Sequence, residues 1–501
     1  MTKPKLLRWT PLLLATVTGL LPQPGSAQEF VVGTEEQLTQ QLDHPAVITR
    51  HRGVFGGVPI RYTATVEPVV ITSGLGGSKA RLVSFAYTRD GGDPKKRPVM
   101  FLFNGGPIVS SPYVHIGGLG PKRIAFPDDV KADPSTFKLV DNAHSPLDAV
   151  DLVFIDPAST GFSRVMPGTK PEDYFSVPAD AAQFAGFIRA WLAAHGRQGA
   201  PVYLFGESYG TNRAAMIAAQ LSEGPDPLPL AGIFLYGQAL NIIEYAQRPN
   251  NIISYAASLP TIADIALYHG KARANGRTSA QFMADARTYA QGTYLTALYR
   301  GSALPQTERT QVAARLEEFS GIPAAWYLDH DLRITKEQYR IELMRAQGLL
   351  LGRNDARYVA SIGSKGGAPD PSDVLTVAVN RFFAAYLKKD LKVDWAEPYI
   401  QVAPVRGLQG WGWGFGTSPF GDWPYQRGIT QMMRLNPAFK LIVANGMYDT
   451  QTTMGAAEYL VTQSGWNSSQ VKLRYYDGGH MGYSVEATAK AMGDDIRTFV
   501  Q

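Results

Sequence analysis

The sequence predicts an α/β fold with a mostly parallel central sheet flanked by helices. Three observations carry that expectation. Short apolar, β-branched runs recur at 98–103, 150–155, 202–205, 233–236, 441–444 and 471–476. Stretches of helical spacing separate them, as βαβ crossovers require. The runs are short, and those at 98–103, 202–205, 233–236 and 441–444 are continuously apolar, the pattern of strands covered on both faces.

Taken from the start of the chain, Lys3, Lys5 and Arg8 precede an apolar stretch at 11–21 and the small residues Gly25-Ser26-Ala27. This reads as a signal peptide over 1–27, giving a periplasmic or secreted protein that begins near Gln28 and has no membrane association after cleavage. The formal net charge is +5, and the three leader cations leave +2 on the remainder, which gives no support to a nucleic-acid partner. Residues 47–72 read as strand segments broken by Gly53, Gly56 and Gly57. Helices are expected at 179–195, 209–221 and 485–500, the last capped by Ser484.

A different texture fills 241–430. Helical spacing appears at 279–299, 306–319, 335–351 and 372–389, with a Gly/Ser/Pro loop at 361–372. The aromatic loop Gly410-Trp411-Gly412-Trp413-Gly414-Phe415 follows. A helical block between the two parts of an α/β core, 28–240 and 431–501, reads as a cap over the C-terminal ends of the strands. Trp411, Trp413 and Phe415 could line a pocket beneath it or pack it onto the core.

Composition narrows the chemistry. The 501 residues are 45% hydrophobic and 18% charged, too apolar for a disordered polymer. The absence of cysteine excludes disulfides, a thiolate nucleophile, Cys-ligated zinc and iron–sulfur clusters. Hydroxyls, imidazoles, carboxylates or a bound cofactor remain.

Gly206-Glu207-Ser208-Tyr209-Gly210 lies between the 202–205 strand and the 209–221 helix. A G-x-S-x-G at a strand-to-helix turn presents the serine hydroxyl on a tight bend, with the helix N-terminus beside the developing oxyanion. Such a nucleophile needs a carboxylate and a histidine, in that chain order. Asp449 follows the 441–444 strand, and His480 follows 471–476 within Asp477-Gly478-Gly479-His480-Met481. His115, His144 and His330 lack a preceding core strand and glycine turn, and His195 ends a helix. Asn104-Gly105-Gly106-Pro107 follows the 98–103 strand, where two glycines leave backbone N–H groups free to face a cleft.

Together these segments resemble the serine carboxypeptidases of the α/β-hydrolase fold. The carriers are Asn104–Pro107, Gly206–Gly210, the Gly446-Met447-Tyr448-Asp449-Thr450-Gln451-Thr452 segment, and Gly479-His480-Met481, with Ile155-Asp156-Pro157 and Thr160-Gly161-Phe162-Ser163 between them. They stand in family order from about residue 80 onward. The resemblance implies a bacterial secreted member with a helical cap and peptide substrates, needing neither metal nor cofactor. Ser208 would be the nucleophile, His480 the general base and acid, and Asp449 the residue that orients the imidazole. The N–H groups of Gly106 and Tyr209 would form the oxyanion hole. Asn104 and Glu207 would bind the substrate's terminal carboxylate.

The pattern has departures. Ile108 stands where the family loop has glycine, Ser159 replaces another glycine, and Gly118-Leu119-Gly120-Pro121 occupies a stretch where eukaryotic members carry a carboxylate-assisting Glu. The alternatives are an esterase or acyltransferase with the same triad, and a non-catalytic binding protein on a hydrolase scaffold, which Ile108 motivates.

Overall fold

A computed structural model describes residues 44–501 apart from 73–76, 364–369, 404–409 and 415–423, together with 34, 36 and 37. The expected leader and Phe415 lie outside the described residues.

The chain enters as a hairpin. β1 (Val47–Phe55) and β2 (Val58–Thr72) pair antiparallel, and the turn falls at Gly56 and Gly57, both with positive φ. Gly53 does not break the strand, because it pairs with Ile60 inside the ladder. β3 (Lys79–Arg89) follows. It does not read as an apolar run, because cations bound it and Ser84 lies in its buried middle. The expected strands then appear as β4 (Val99–Phe103), β5 (Asp151–Ile155), β6 (Val202–Glu207), β7 (Gly232–Tyr236), β8 (Lys440–Gly446) and β9 (Val471–Tyr476).

The sheet order is β1-β2-β3-β5-β4-β6-β7-β8-β9, and a short Arg164–Val165 strand on β3 completes ten strands. From β5 to β9 every pairing is parallel, whereas β1 to β3, and β3 with β5, run antiparallel. The exchange of β4 and β5 in the order makes a switch point, and such sheets carry their sites beyond the strand C-termini there. This is the α/β-hydrolase arrangement.

Alternate strand residues supply two cores. Phe101, Phe103, Leu204, Ile233 and Val443 face α1 (Val177–Ala194) and α2 (Tyr209–Ser222). Met100, Leu102, Phe205, Phe234 and Ile442 face the opposite side. α1 starts cleanly because the Ser176 hydroxyl accepts the Ala179 N–H and Pro178 occupies the first turn.

The inserted block builds a third core from Leu259, Ile262, Phe282, Leu316, Phe319 and Tyr339. Its helices include α3 (Ile252–Tyr268), α4 (Ser279–Tyr289), α5 (Gln306–Ser320) and the short α6 (Lys336–Glu342). Three features differ from expectation. α3 was not anticipated, since Pro260 sits inside it and reads as a breaker. The 279–299 helix divides at a π-helical turn, Ala290–Tyr294, before resuming at Leu295–Arg300. The 335–351 helix stops after α6, and Leu349–Leu351 instead pairs antiparallel with Val359–Ser361, past Gly348 at φ 70°.

α7 (Asp373–Lys389) and α9 (Glu486–Phe499) pack on the second sheet face. Between them in sequence, α8 (Gln426–Leu435) straddles residue 430 and packs against α2, where a Cβ on Gly428 would overlap the Ala215 carbonyl. Ser484 does not cap α9; it lies in the preceding turn, and Val485 holds the cap position without a side-chain hydrogen bond.

Candidate active site

Ser208 leaves β6 and opens α2 with φ 60° and ψ −130°. A non-glycine residue there carries roughly 1–3 kcal/mol of strain, which its surroundings must enforce. The Ser208 N–H donates to the Tyr236 carbonyl at 2.9 Å. Its carbonyl accepts the Thr211 N–H at 2.9 Å and the Thr211 hydroxyl at 2.6 Å. Glycine makes the approach possible. A Cβ on Gly210 would lie 2.9 Å from the Asn104 carbonyl oxygen, and one on Gly105 would fall 2.6 Å from the Tyr209 nitrogen and 2.8 Å from the Ser208 Cβ. The Asn104–Pro107 loop is thus pressed against the elbow. It lies beside an N–H that the first helical turn leaves without an intrahelical acceptor, the placement an oxyanion requires.

A buried ion pair braces this arrangement from below. Arg213 donates to the Asn104 carbonyl at 2.6 Å and to both Asp180 oxygens at 2.8 and 3.1 Å, while the Tyr209 hydroxyl donates to Asp180 at 3.0 Å. Further along the loop, the Asp156 carboxylate accepts the Ser111 N–H and the Tyr399 hydroxyl, each at 2.8 Å. Burial pushes that carboxyl up to about 7, against the lowering effect of these donors and Arg164.

The two substituted glycine positions keep the glycine conformation. Ile108 has φ 56° and Ser159 has φ 71°. Ile108 is buried in the first core. Burying its side chain is worth about 1.5–3 kcal/mol, enough to offset strain of similar size.

Asp449 and His480 meet above β8 and β9. Asp449 is fully buried; its Oδ1 accepts the N–H groups of Gln451 and Thr452 at 2.7 and 3.1 Å. Its Oδ2 accepts the Thr452 hydroxyl and His480 Nδ1, each at 2.6 Å. Burial opposes charge on the imidazole, but Asp449, through its charge and hydrogen bond, together with Glu207, outweighs it and leaves the His480 pKa raised. Ser208 and His480 flank one dipeptide. Ser208 bonds Tyr236, and a Cβ on Gly237 would come 3.1 Å from the His480 Cε1.

Glu207 and Asn104 are also brought together. The Asn104 amide donates to Glu207 Oε1 at 3.0 Å, and the Tyr483 hydroxyl donates to Oε2 at 2.7 Å. The Val114 N–H donates to Asn104 Oδ1 at 3.1 Å, which fixes the amide orientation. Burial pushes the Glu207 carboxyl up to about 7, against the lowering effects of His480, Tyr483 and Asn104.

Several supporting residues escape a reading of the sequence. Tyr483 follows His480 by three positions, and its aromatic hydroxyl was the available signal. Lys336, at the start of α6, donates to the Gln451 carbonyl at 2.7 Å, with its ammonium 5.1 Å from the Tyr245 ring centroid. Burial lowers its pKa to about 8, against the opposing charges of Asp449 and Glu337. Trp411 packs edge-on against Tyr209 at 5.4 Å and joins the first core, and Trp413 lies 6.2 Å from the same ring. These two therefore fasten their loop to the core at the elbow helix.

A family model described as serine carboxypeptidase matches residues 77–295, which include the elbow and the Asn104–Pro107 loop. The serine-type carboxypeptidase F of Aspergillus niger is 25% identical over 182 residues, 36% of this chain and 32% of that protein. Serine carboxypeptidase-like 5 of Arabidopsis thaliana is 27% identical over 237 residues, 45% of this chain and 50% of that protein. The chain thus spans half or less of the length of these curated relatives. Among solved structures, an esterase from Thermogutta terrifontis aligns at 14% identity and a TM-score of 0.33, covering 87% of this chain and 100% of that one. A carboxyl esterase from Bacillus coagulans aligns at 13% and 0.36, covering 87% and 97%. The family match and the two curated relatives support a serine-type hydrolase, at low identity.

Proposed function

We propose that this protein is a secreted serine carboxypeptidase, cleaving C-terminal peptide bonds through an acyl-enzyme formed on Ser208. The observation that carries the reading is the buried Asp449–His480 pair at 2.6 Å, set across one dipeptide from a strained serine whose preceding residue, Glu207, is a buried carboxyl.

The Ser208 hydroxyl attacks the scissile carbonyl as His480 Nε2 takes its proton, and Asp449 holds the Nδ1–H and offsets the imidazolium charge. The tetrahedral oxyanion is stabilised by the N–H groups of Tyr209 and Gly106. Collapse breaks the C–N bond as His480 returns the proton to the departing amine. Water, deprotonated by His480, then releases the acyl group. The leader expected at 1–27 supports a location outside the cytoplasm for this chemistry.

Glu207 supplies the exopeptidase preference. With a pKa near 7, it is largely protonated at mildly acidic pH and donates a hydrogen bond to the substrate's terminal carboxylate beside Asn104. Ionised, it would repel that carboxylate; two charges about 4 Å apart at an effective dielectric near 20 interact by ~4 kcal/mol. Peptidase kcat/KM should therefore fall as pH rises through about 7. Hydrolysis of a simple ester, or of the same dipeptide carrying a C-terminal amide, should not fall with it.

The test compares an N-blocked dipeptide with its amide and with an ester across pH, in the native and Glu207→Gln enzymes. Glu207→Gln should flatten the peptide decline. Equal kcat/KM for the free and amidated dipeptides, with superimposed profiles, would remove the carboxypeptidase reading and favour an esterase.

A further inference from the structure

The sheet holds the Asp449 and His480 loops through Tyr236 and Asn445, and residues of the insertion tie the two loops together. Asn354 reaches both of their loops. Its carbonyl accepts the His480 N–H at 2.5 Å, and its side-chain Oδ1 accepts the Gln451 amide at 2.5 Å. The Gln451 N–H in turn donates to Asp449 Oδ1 at 2.7 Å. The neighbours of Asn354 reinforce it. Asp355 Oδ2 accepts the Gly479 N–H at 3.0 Å, and Arg357 holds the same carboxylate through Nε and Nη2, the latter at 2.6 Å. The Thr450 hydroxyl donates to the Arg353 carbonyl at 2.8 Å, and the Ala356 N–H to the Tyr448 carbonyl at 3.0 Å. Gly479 lies so close that a Cβ there would overlap the Asn354 carbonyl.

We propose that Asn354 is a positioning residue for the triad, the point at which the insertion sets the Asp449 loop against the His480 loop. The inference rests on reading Ser208, His480 and Asp449 as a triad. Its physical basis is the steep dependence of proton transfer and attack on geometry, in which a misplacement of about 1 Å costs on the order of 100-fold. Removing one of the Asn354 contacts, with its backbone carbonyl left in place, should act on kcat and leave substrate affinity intact.

The experiment uses the full chain as native protein, Asn354→Ala, Gln451→Ala and the double variant. Gln451→Ala breaks the same side-chain bond from the other partner, so poor folding of one variant leaves the other to decide. Two readouts are taken: steady-state hydrolysis of a p-nitrophenyl ester, and the downfield NMR resonance of the His480 Nδ1 proton in its bond to Asp449. Each single variant is expected to lose about tenfold in kcat with KM within about twofold, and to shift or broaden the resonance. The double variant should be no worse than either single, because one bond is lost in all three. Unchanged kcat and resonance, or losses that multiply in the double variant, would overturn the proposal. A native protein that shows the resonance but turns over neither peptide nor ester would sink the enzymatic reading. The resonance comparison would still decide the role of Asn354.

Discussion

Ser208 is braced by the sheet and the helices packed on it, whereas Asp449 and His480 are braced by the sheet and, in addition, by the inserted block. On the serine side the supports are the carbonyl of Tyr236 at the end of β7, close-packed glycines, and the Arg213–Asp180 pair between α2 and α1. On the other side, Asn354, Asp355 and Lys336 all come from the inserted block and contact the loops beyond β8 and β9. The hydrogen bonds that hold the elbow thus come from the core. The acid–base pair carries an added set of contacts from the insertion, so the two halves should respond differently to substitution.

The largest contrast is expected at Arg213. Both members of its pair with Asp180 are essentially buried, and removing one partner of such a pair leaves an uncompensated charge at about 3–5 kcal/mol. Arg213→Met should lower global stability by that order in denaturant unfolding, and adding Asp180→Leu should recover much of the loss. A loss below about 1 kcal/mol would show that the serine half does not depend on this brace.

A subtler test sharpens the other side. The Lys336 charge lowers the His480 pKa, against the stronger raising effect of Asp449. Lys336→Met should therefore raise the His480 pKa and move the acidic limb of kcat/KM to higher pH. Lys336 itself loses its proton near pH 8, so the electrostatic difference between native and variant should fade above that pH. An acidic limb that stays in place, or moves to lower pH, would show that the insertion exerts no field on the imidazole.

The same contrast governs what could be read from the sequence. Ser208 was legible because strand, glycines, serine and helix are contiguous, so the turn geometry is written in one decapeptide. Asp449 and His480 were legible as side chains just beyond apolar strands, in loops rich in glycine. Their supports were not. Gln451 and Asn354 lie 97 positions apart, and Gly479 and Asp355 lie 124 apart, with no periodicity or motif linking either pair. Elements were missed for related reasons: β3 hides between cations, α3 contains Pro260, and Ser484 closes a turn that takes it out of the cap position. Ile108 shows the converse. In the sequence it departs from the family glycine, yet its buried β-branched side chain occupies the left-handed backbone a glycine would.

Covalent labelling tests the central claim most directly, because it asks whether Ser208 is an activated nucleophile before any substrate is chosen. Native protein treated with a fluorophosphonate should gain a single adduct, mapped by peptide mass spectrometry to Ser208. Ser208→Ala should gain none, and His480→Ala should label far more slowly. A native protein that stays unlabelled, or an adduct that persists in Ser208→Ala, would contradict the account.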